Sequence, residues 1–203
     1  MAITSGYLTL AAFKASGSWG AKTDHDSDIE RAVEAASRSI DRFCGRRFWL
    51  DGTASARYVT ARPEETLNLP VPDIGSTTGL TVKTDDDWDG VYENTWTKDL
   101  RSGSYGFMLE PANAAADALP FTLLHAVVSS FPTVPQGVEV TAKWGWPAVP
   151  IDVAEACLIL AGRLVKRKDA PFGVVGTPEV GVQTLPRVDP DVRGLLNPYR
   201  RIR

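Results

Sequence analysis

Apolar positions recur at helical spacing in two long segments and alternate, with interruptions, through most of the chain between them. In the first segment, Ile29, Val33, Ala36, Ile40 and Phe43 form one stripe, with Arg31, Glu34, Arg38, Asp41 and Arg42 on the other faces. Ser27-x-x-Glu30 predicts a capping box at its start, and Gly45 supplies the residue that can take positive φ at its end. In the second segment, Val153, Ala156, Cys157, Leu160, Ala161 and Leu164 follow the same spacing after Pro150, with Asp152 and Glu155 as the cap signal. Leu158, Ile159 and Val165 widen that stripe, which predicts burial on more than one side. Arg163, Lys166, Arg167 and Lys168 place positive charge at the helix end, where the macrodipole favours it.

Shorter elements flank these two. A helix is expected over Leu8–Ala15 with Leu10 and Phe13 buried. Asp189 and Pro190 predict a capped tail helix whose apolar side is Val192, Leu195, Leu196 and Tyr199. Between the long helices, strand-type content occurs at Ala56–Ala61, Thr66–Leu69, Leu80–Thr84, Gly106–Leu109, Phe121–Val128 and Val138–Trp144. Turn signals at Pro70–Pro72, Asp73–Gly75, Asp89–Gly90, Ser102–Gly103 and Pro135–Gly137 separate these runs, and a turn is allowed near Ala112–Ala118. The fold class read from this pattern is α+β. A small helical bundle (residues 1–47 and 147–169) carries a β-rich antiparallel insertion (48–146) between its two main helices. An extended C-terminal arm (170–203) ends in a short helix.

The apolar fraction of 43% and charged fraction of 23% are ordinary for a folded chain of 203 residues. No run reaches the ~18 apolar residues of a membrane span. The N-terminus lacks the basic region and apolar core of a secretory signal, so a cytoplasmic setting is expected. Net charge is only −3, but from Ile151 onward nine Lys and Arg outnumber six Asp and Glu, while the preceding part is acidic. Different neighbours at the two ends fit that split, and a globally basic nucleic-acid binder does not.

Candidate chemistry is sparse. Cys44 and Cys157 have no CxxC or histidine cluster beside them and read as small buried side chains. His25 and His125 are isolated and read as structural or surface residues. Asp85, Asp86, Asp87 and Asp89 lack the twelve-residue ligand spacing of a helix-flanked calcium loop, so a solvated hairpin loop is expected. No nucleophile elbow, zinc-binding helix or phosphate loop is present. No cofactor, metal or enzymatic activity is expected. Trp88, Trp96, Trp144 and Trp146 could form a stacking platform, or pack as core. In the Gly/Val-rich arm, Val174, Val175, Val180, Val182 and Leu185 lie in a stretch too short to bury them alone. They are covered either by a neighbouring chain or by the arm's own domain.

The segments Ile29–Trp49, Trp144–Gly173 and Val188–Arg201, in that order, resemble the head-to-tail adaptor (connector) proteins of long-tailed bacteriophages. The resemblance covers about half of the chain. It implies a helical bundle that assembles as a twelve-fold ring beneath the portal protein, continues the DNA channel and receives the stopper, or head-closure, protein. It implies a location in the virion neck after synthesis in the host cytoplasm, with DNA passing through without sequence-specific binding and no membrane involved. The arm and tail would reach the portal or a neighbouring subunit through Phe172, Val174, Val175, Val180, Val182, Leu185, Val192, Leu195, Leu196 and Tyr199, with Arg200 and Arg201 as charged contacts. Asp24, Asp26, Asp28 and Glu30 are candidates for the channel wall, where negative charge would not grip passing phosphates. The insertion has no counterpart in the shortest members. The rival reading is a carbohydrate- or ligand-binding β module on a helical base.

Overall fold

The structure, a computed structural model, describes residues 3, 5–17, 23–169, 174–175, 183–184 and 189–201. It is α+β and divides into a helical unit, residues 1–48 with 149–203, and a β unit, residues 49–148.

Helix α1 (Leu10–Ala15) starts at Thr9, whose side chain accepts the Ala12 N–H, so it is shorter than the expected Leu8–Ala15. Phe13 is buried, whereas Leu10 is only half-buried. Helix α2 (Asp26–Cys44) buries Ile29, Ala32, Val33, Ala36, Ser37, Ile40 and Cys44 and ends at Gly45 with φ of 66°. The expected capping box does not form. His25 occupies the cap position without a side-chain capping bond, and its carbonyl receives the Ile29 N–H, so the ladder begins earlier and Ser27 lies exposed in the first turn. The Lys14–Asp26 ion pair, 2.7 Å, fixes that turn against the end of α1. Cys44 takes the buried place on the stripe and Phe43 is half-buried.

Helix α3 (Ile151–Asp169) packs on α2 through Val153, Ala156, Cys157, Ala161 and Val165. Its widened stripe is only partly covered. Leu158, Ile159 and Leu160 are half-buried, and Leu164 is 40% exposed. Asp152 lies inside the first turn rather than at the cap. Residues Val174–Val175 (β7) and Gln183–Thr184 (β8) form a two-residue antiparallel ladder. Helix α4 (Pro190–Leu196) begins as predicted, with the Asp189 side chain accepting the Asp191 N–H at 3.0 Å.

The β unit contains β1 (Ser55–Val59), β2 (Asn68–Thr84), β3 (Asn94–Lys98), β4 (Gly106–Glu110), β5 (Phe121–Ala126) and β6 (Val138–Trp144), ordered β1-β6-β2-β3-β4-β5. A further β2–β5 pairing closes the β3-β4-β5 run back onto β2. All pairings are antiparallel except β3–β4, which is parallel and departs from the all-antiparallel expectation. The largest departure is β2. It is one strand of 17 residues that runs through both segments expected to be turns. Leu69, Val71 and Asp73 face inward, while Pro70 is exposed and Pro72 falls in the register shift between Pro70 and Ile74. At such shifts a ladder N–H is dispensable, which is where a strand tolerates proline. Strand β3 was not foreseen. Its Trp96 is buried and stacks on Phe131 with centroids 4.4 Å apart. The Ala112–Ala118 region is a run of hydrogen-bonded turns. Leu69, Ile74, Val82, Leu124, Val138 and Trp144 are fully enclosed, so this unit has a core of its own.

Candidate functional site

Val192 and Leu196 are 4% and 2% exposed within the chain itself. Their own chain thus shelters two of the side chains expected to meet the portal or a neighbouring subunit. These two close over the α2–α3 pair of their own molecule, and Leu195 is half-buried. Polar and aromatic contacts lock the same placement. Arg163 pairs with the capping Asp189 at 3.0 Å, and the Arg201 N–H donates to the Cys44 carbonyl at 2.8 Å. The Tyr199 hydroxyl donates to the Asp152 carboxylate at 3.0 Å, and its ring meets Phe48 edge-on at 5.7 Å. Burial and the Asp152 contact raise the Tyr199 phenol above its ordinary range. The Arg200 guanidinium lies over Phe43, 5.2 Å from the ring centre, which uses the half-exposed face of that side chain.

Beside the seat the surface stays open. A recess of about 200 Å³ is walled by Ile40, Phe43, Leu160, Val192 and Leu196 and rimmed by Arg193 and the Arg163–Asp189 pair. A second lobe shares Ser39, Leu160 and Arg163 and adds Leu164 and Arg167. Of the apolar candidates between residues 170 and 188, only Val174 and Val175 are described, and only by their backbone. Phe172, Val180, Val182 and Leu185 lie outside the described residues.

The acidic loop after β2 differs from the solvated loop expected. Asp85 is 3% exposed, and its carboxylate accepts the Trp88 N–H at 2.7 Å and the Gly90 N–H at 2.9 Å. Asp87, Asp89 and Glu93 are exposed, with carboxylate oxygens that lie, together with one of Asp85, within 4.8 Å of each other. Trp88 is 66% exposed with φ of 64°, whereas Trp96, Trp144 and Trp146 are buried. Three of the four tryptophans proposed for a stacking platform are therefore core. Trp146 donates to Asp73 at 3.3 Å, and the Trp144 ring carries the Arg57 guanidinium at 4.4 Å.

Of the acidic residues considered for a channel wall, Asp24 is exposed, Asp26 is paired with Lys14, Asp28 with Arg31, and Glu30 is half-buried beside Leu8 and Thr9. Cys44 and Cys157 are buried free thiols, as read. Burial pushes Cys44 up to about 11 and raises Cys157 also. The His125 ring meets the Asn68 side chain at 2.7 Å. Sequence reasoning missed Asp73, Tyr7 and Asp41. A lone acidic residue after two prolines and a tyrosine before a short helix carry no pattern that announces a buried polar partner.

No family model and no curated protein matches the chain. Solved structures do. A chain in the neck of an empty gene transfer agent particle, solved with C6 symmetry, is 20% identical with a TM-score of 0.57, and the match covers 100% of this chain and 94% of that one. A chain of the virion of a native gene transfer agent particle is 20% identical, with a TM-score of 0.56 and the same coverage. A chain in the neck of the native particle, solved with C12 symmetry, is 18% identical, with a TM-score of 0.57, covering 100% and 93%. The fold is shared end to end, with the helical unit and the β unit both included.

Proposed function

We propose that this protein is a structural subunit of the neck of a phage-like particle, acting as the head-to-tail adaptor. Twelve copies form a ring under the portal, continue the DNA channel and receive the stopper protein. One observation carries this reading: the likeness to neck chains spans the whole chain, β unit included, so it does not rest on the helical pattern alone. The role is mechanical, and no catalytic step is assigned to any residue. Phe172, Val174, Val175, Val180, Val182 and Leu185 supply the portal contact, with Arg200 and the exposed side of the tail helix beside them. Asp24, the most exposed of the four N-terminal acids, faces the channel in this arrangement.

The test uses intact particles. Gold-labelled antibody to the chain should mark the junction between head and tail, and the purified protein should co-sediment with purified portal. Label confined to the capsid shell or the tail tip, or none on particles, would overturn the proposal.

A further inference from the structure

The loop that follows β2 is built as a rigid knob. The buried Asp85 carboxylate holds the Trp88 and Gly90 amides, Asp89 holds the Val91 amide at 2.8 Å, and the Tyr92 hydroxyl donates to the Gln136 carbonyl at 2.8 Å. Trp88 sits at positive φ, a conformation that a bulky side chain adopts only when its surroundings impose it. At the tip, Trp88 and Val91 are 66% and 58% exposed. Around them stand the exposed carboxylates of Asp86, Asp87, Asp89 and Glu93. An ordered tryptophan loses little freedom on docking, and tryptophan is the residue type most enriched among interface hot spots. Its partner must offer an apolar hollow with a basic rim.

The chain itself carries that complement. The α2–α3–α4 recess has an apolar floor, a volume of about 200 Å³ and a rim on which Arg193 and, in the adjoining lobe, Arg167 stand beside the Arg163–Asp189 pair, which leaves the rim net positive. A cavity of about 150 Å³ accommodates a benzene ring, so this recess is of the size an indole enters. We propose that the Trp88 knob of one copy seats in the α2–α3–α4 recess of the next copy. Knob and recess are different surfaces, so each docked copy still presents one of each. That makes the contact heterologous, and it propagates as a closed ring or an open filament. This proposal deepens the neck reading by naming its subunit contact, and its test needs no particle.

A chain carrying Asp87→Cys and Arg167→Cys is treated in concentrated solution with a short bis-maleimide. Cys44 and Cys157 are 1% and 0% exposed and do not compete. The double variant should give a ladder of dimers, trimers and higher species, while each single variant stops at dimers. Adding Trp88→Ala should cut the ladder by about tenfold or more, the loss a hot-spot residue causes. Val91→Ala, at an exposed position, should reduce it less, and circular dichroism checks that both variants remain folded. Absence of species beyond dimers, or a ladder indifferent to Trp88→Ala, overturns the contact. Gold label at the neck together with no ladder would sink this contact and leave the neck reading standing.

Discussion

The Tyr7 hydroxyl donates its proton to the Asp41 carboxylate and, from the other side, accepts the Phe48 N–H at 2.8 Å. One buried phenol therefore ties the segment before α1 to the last turn of α2 and to the residue that closes the first half of the helical unit. Arg38 completes the cluster, bonding Asp41 at 2.8 Å and the Ser5 hydroxyl and carbonyl at 2.6 and 2.9 Å.

Replacing Tyr7 with Phe removes the acceptor of the Phe48 N–H and one of the two side-chain donors to Asp41, a carboxylate that keeps Arg38 and that burial raises above its ordinary range. We expect a loss of about 1–3 kcal/mol in urea unfolding, the cost of breaking two hydrogen bonds of buried groups. The pH dependence gives a second readout. Burial, followed by the Asp41 hydrogen bond, raises the Tyr7 phenol above its ordinary value of 10.0. Above that pH the unfolded chain loses this proton while the folded chain keeps it, so the unfolded state binds fewer protons and stability falls as pH rises. Tyr7→Phe should flatten that alkaline decline. An unchanged slope between pH 9.5 and 11, on the order of one unit either side of free tyrosine, would contradict the assignment.

Gly145 ends β6 with φ of 111°, and its N–H donates to the Asp73 carbonyl at 2.8 Å. A Cβ there would stand 1.8 Å from the Trp49 carbonyl oxygen. Backbone cannot retreat from such an approach as a flexible side chain can. Gly145→Ala should destabilise the β unit by more than about 3 kcal/mol, beyond what most single substitutions do. Near-ultraviolet dichroism, dominated by buried Trp96, Trp144 and Trp146, is the measurement. A spectrum and midpoint like those of the parent would show that the chain path around Trp49 is wrong.

How much of this was legible differs by element, for physical reasons. Helical spacing exposes which side chains share a face, so α2 and α3 could be read from Ile29–Ile40 and Val153–Val165 without knowing what covers them. The same limit applies to α4. The spacing of Val192 and Leu196 says that something buries them, and only the fold shows that the something is α2 and α3 of the same chain. Proline, aspartate and glycine signal turns locally, so the sequence pattern divides β2. Pairing partners are not local, and β2 stays extended because it exchanges β5 for β6 at the register shifts. The burial of Asp85 is invisible in the sequence for a related reason. Its neighbours are solvated, and its own burial depends on the amides of Trp88 and Gly90 folding around it.

The two thiols supply a prediction that rests on burial alone. Cys44 and Cys157 are enclosed, and both titrate above their ordinary range, Cys44 at about 11. The thiolate is the reactive form, so near pH 8 both should react slowly with a disulfide reagent in the folded protein and rapidly in denaturant. Raising the pH toward 11 should speed the folded-state reaction, because a raised value means the proton is lost only there. Equal rates in folded and unfolded protein at pH 8 would refute the packing of α2 against α3.

Because the tail helix is already seated on its own molecule, folding and docking can be separated by residue. Leu196 is 2% exposed, so Leu196→Ala should cost about 2–5 kcal/mol, chiefly through the cavity left between α2 and α3. Arg193 is exposed and sits on the recess rim, so Arg193→Glu should leave the unfolding midpoint within about 0.5 kcal/mol of the parent. The same change should weaken assembly with neighbouring copies, since it reverses a charge facing the acidic knob. Removing all of residues 189–203 is expected to destabilise the helical unit itself, since Ile40, Leu160 and Phe48 would lose the cover of Val192, Leu196 and Tyr199. A truncated chain that unfolds at the parent's urea midpoint would show that the helix belongs to a neighbour after all, and would return the tail to the role of an arm.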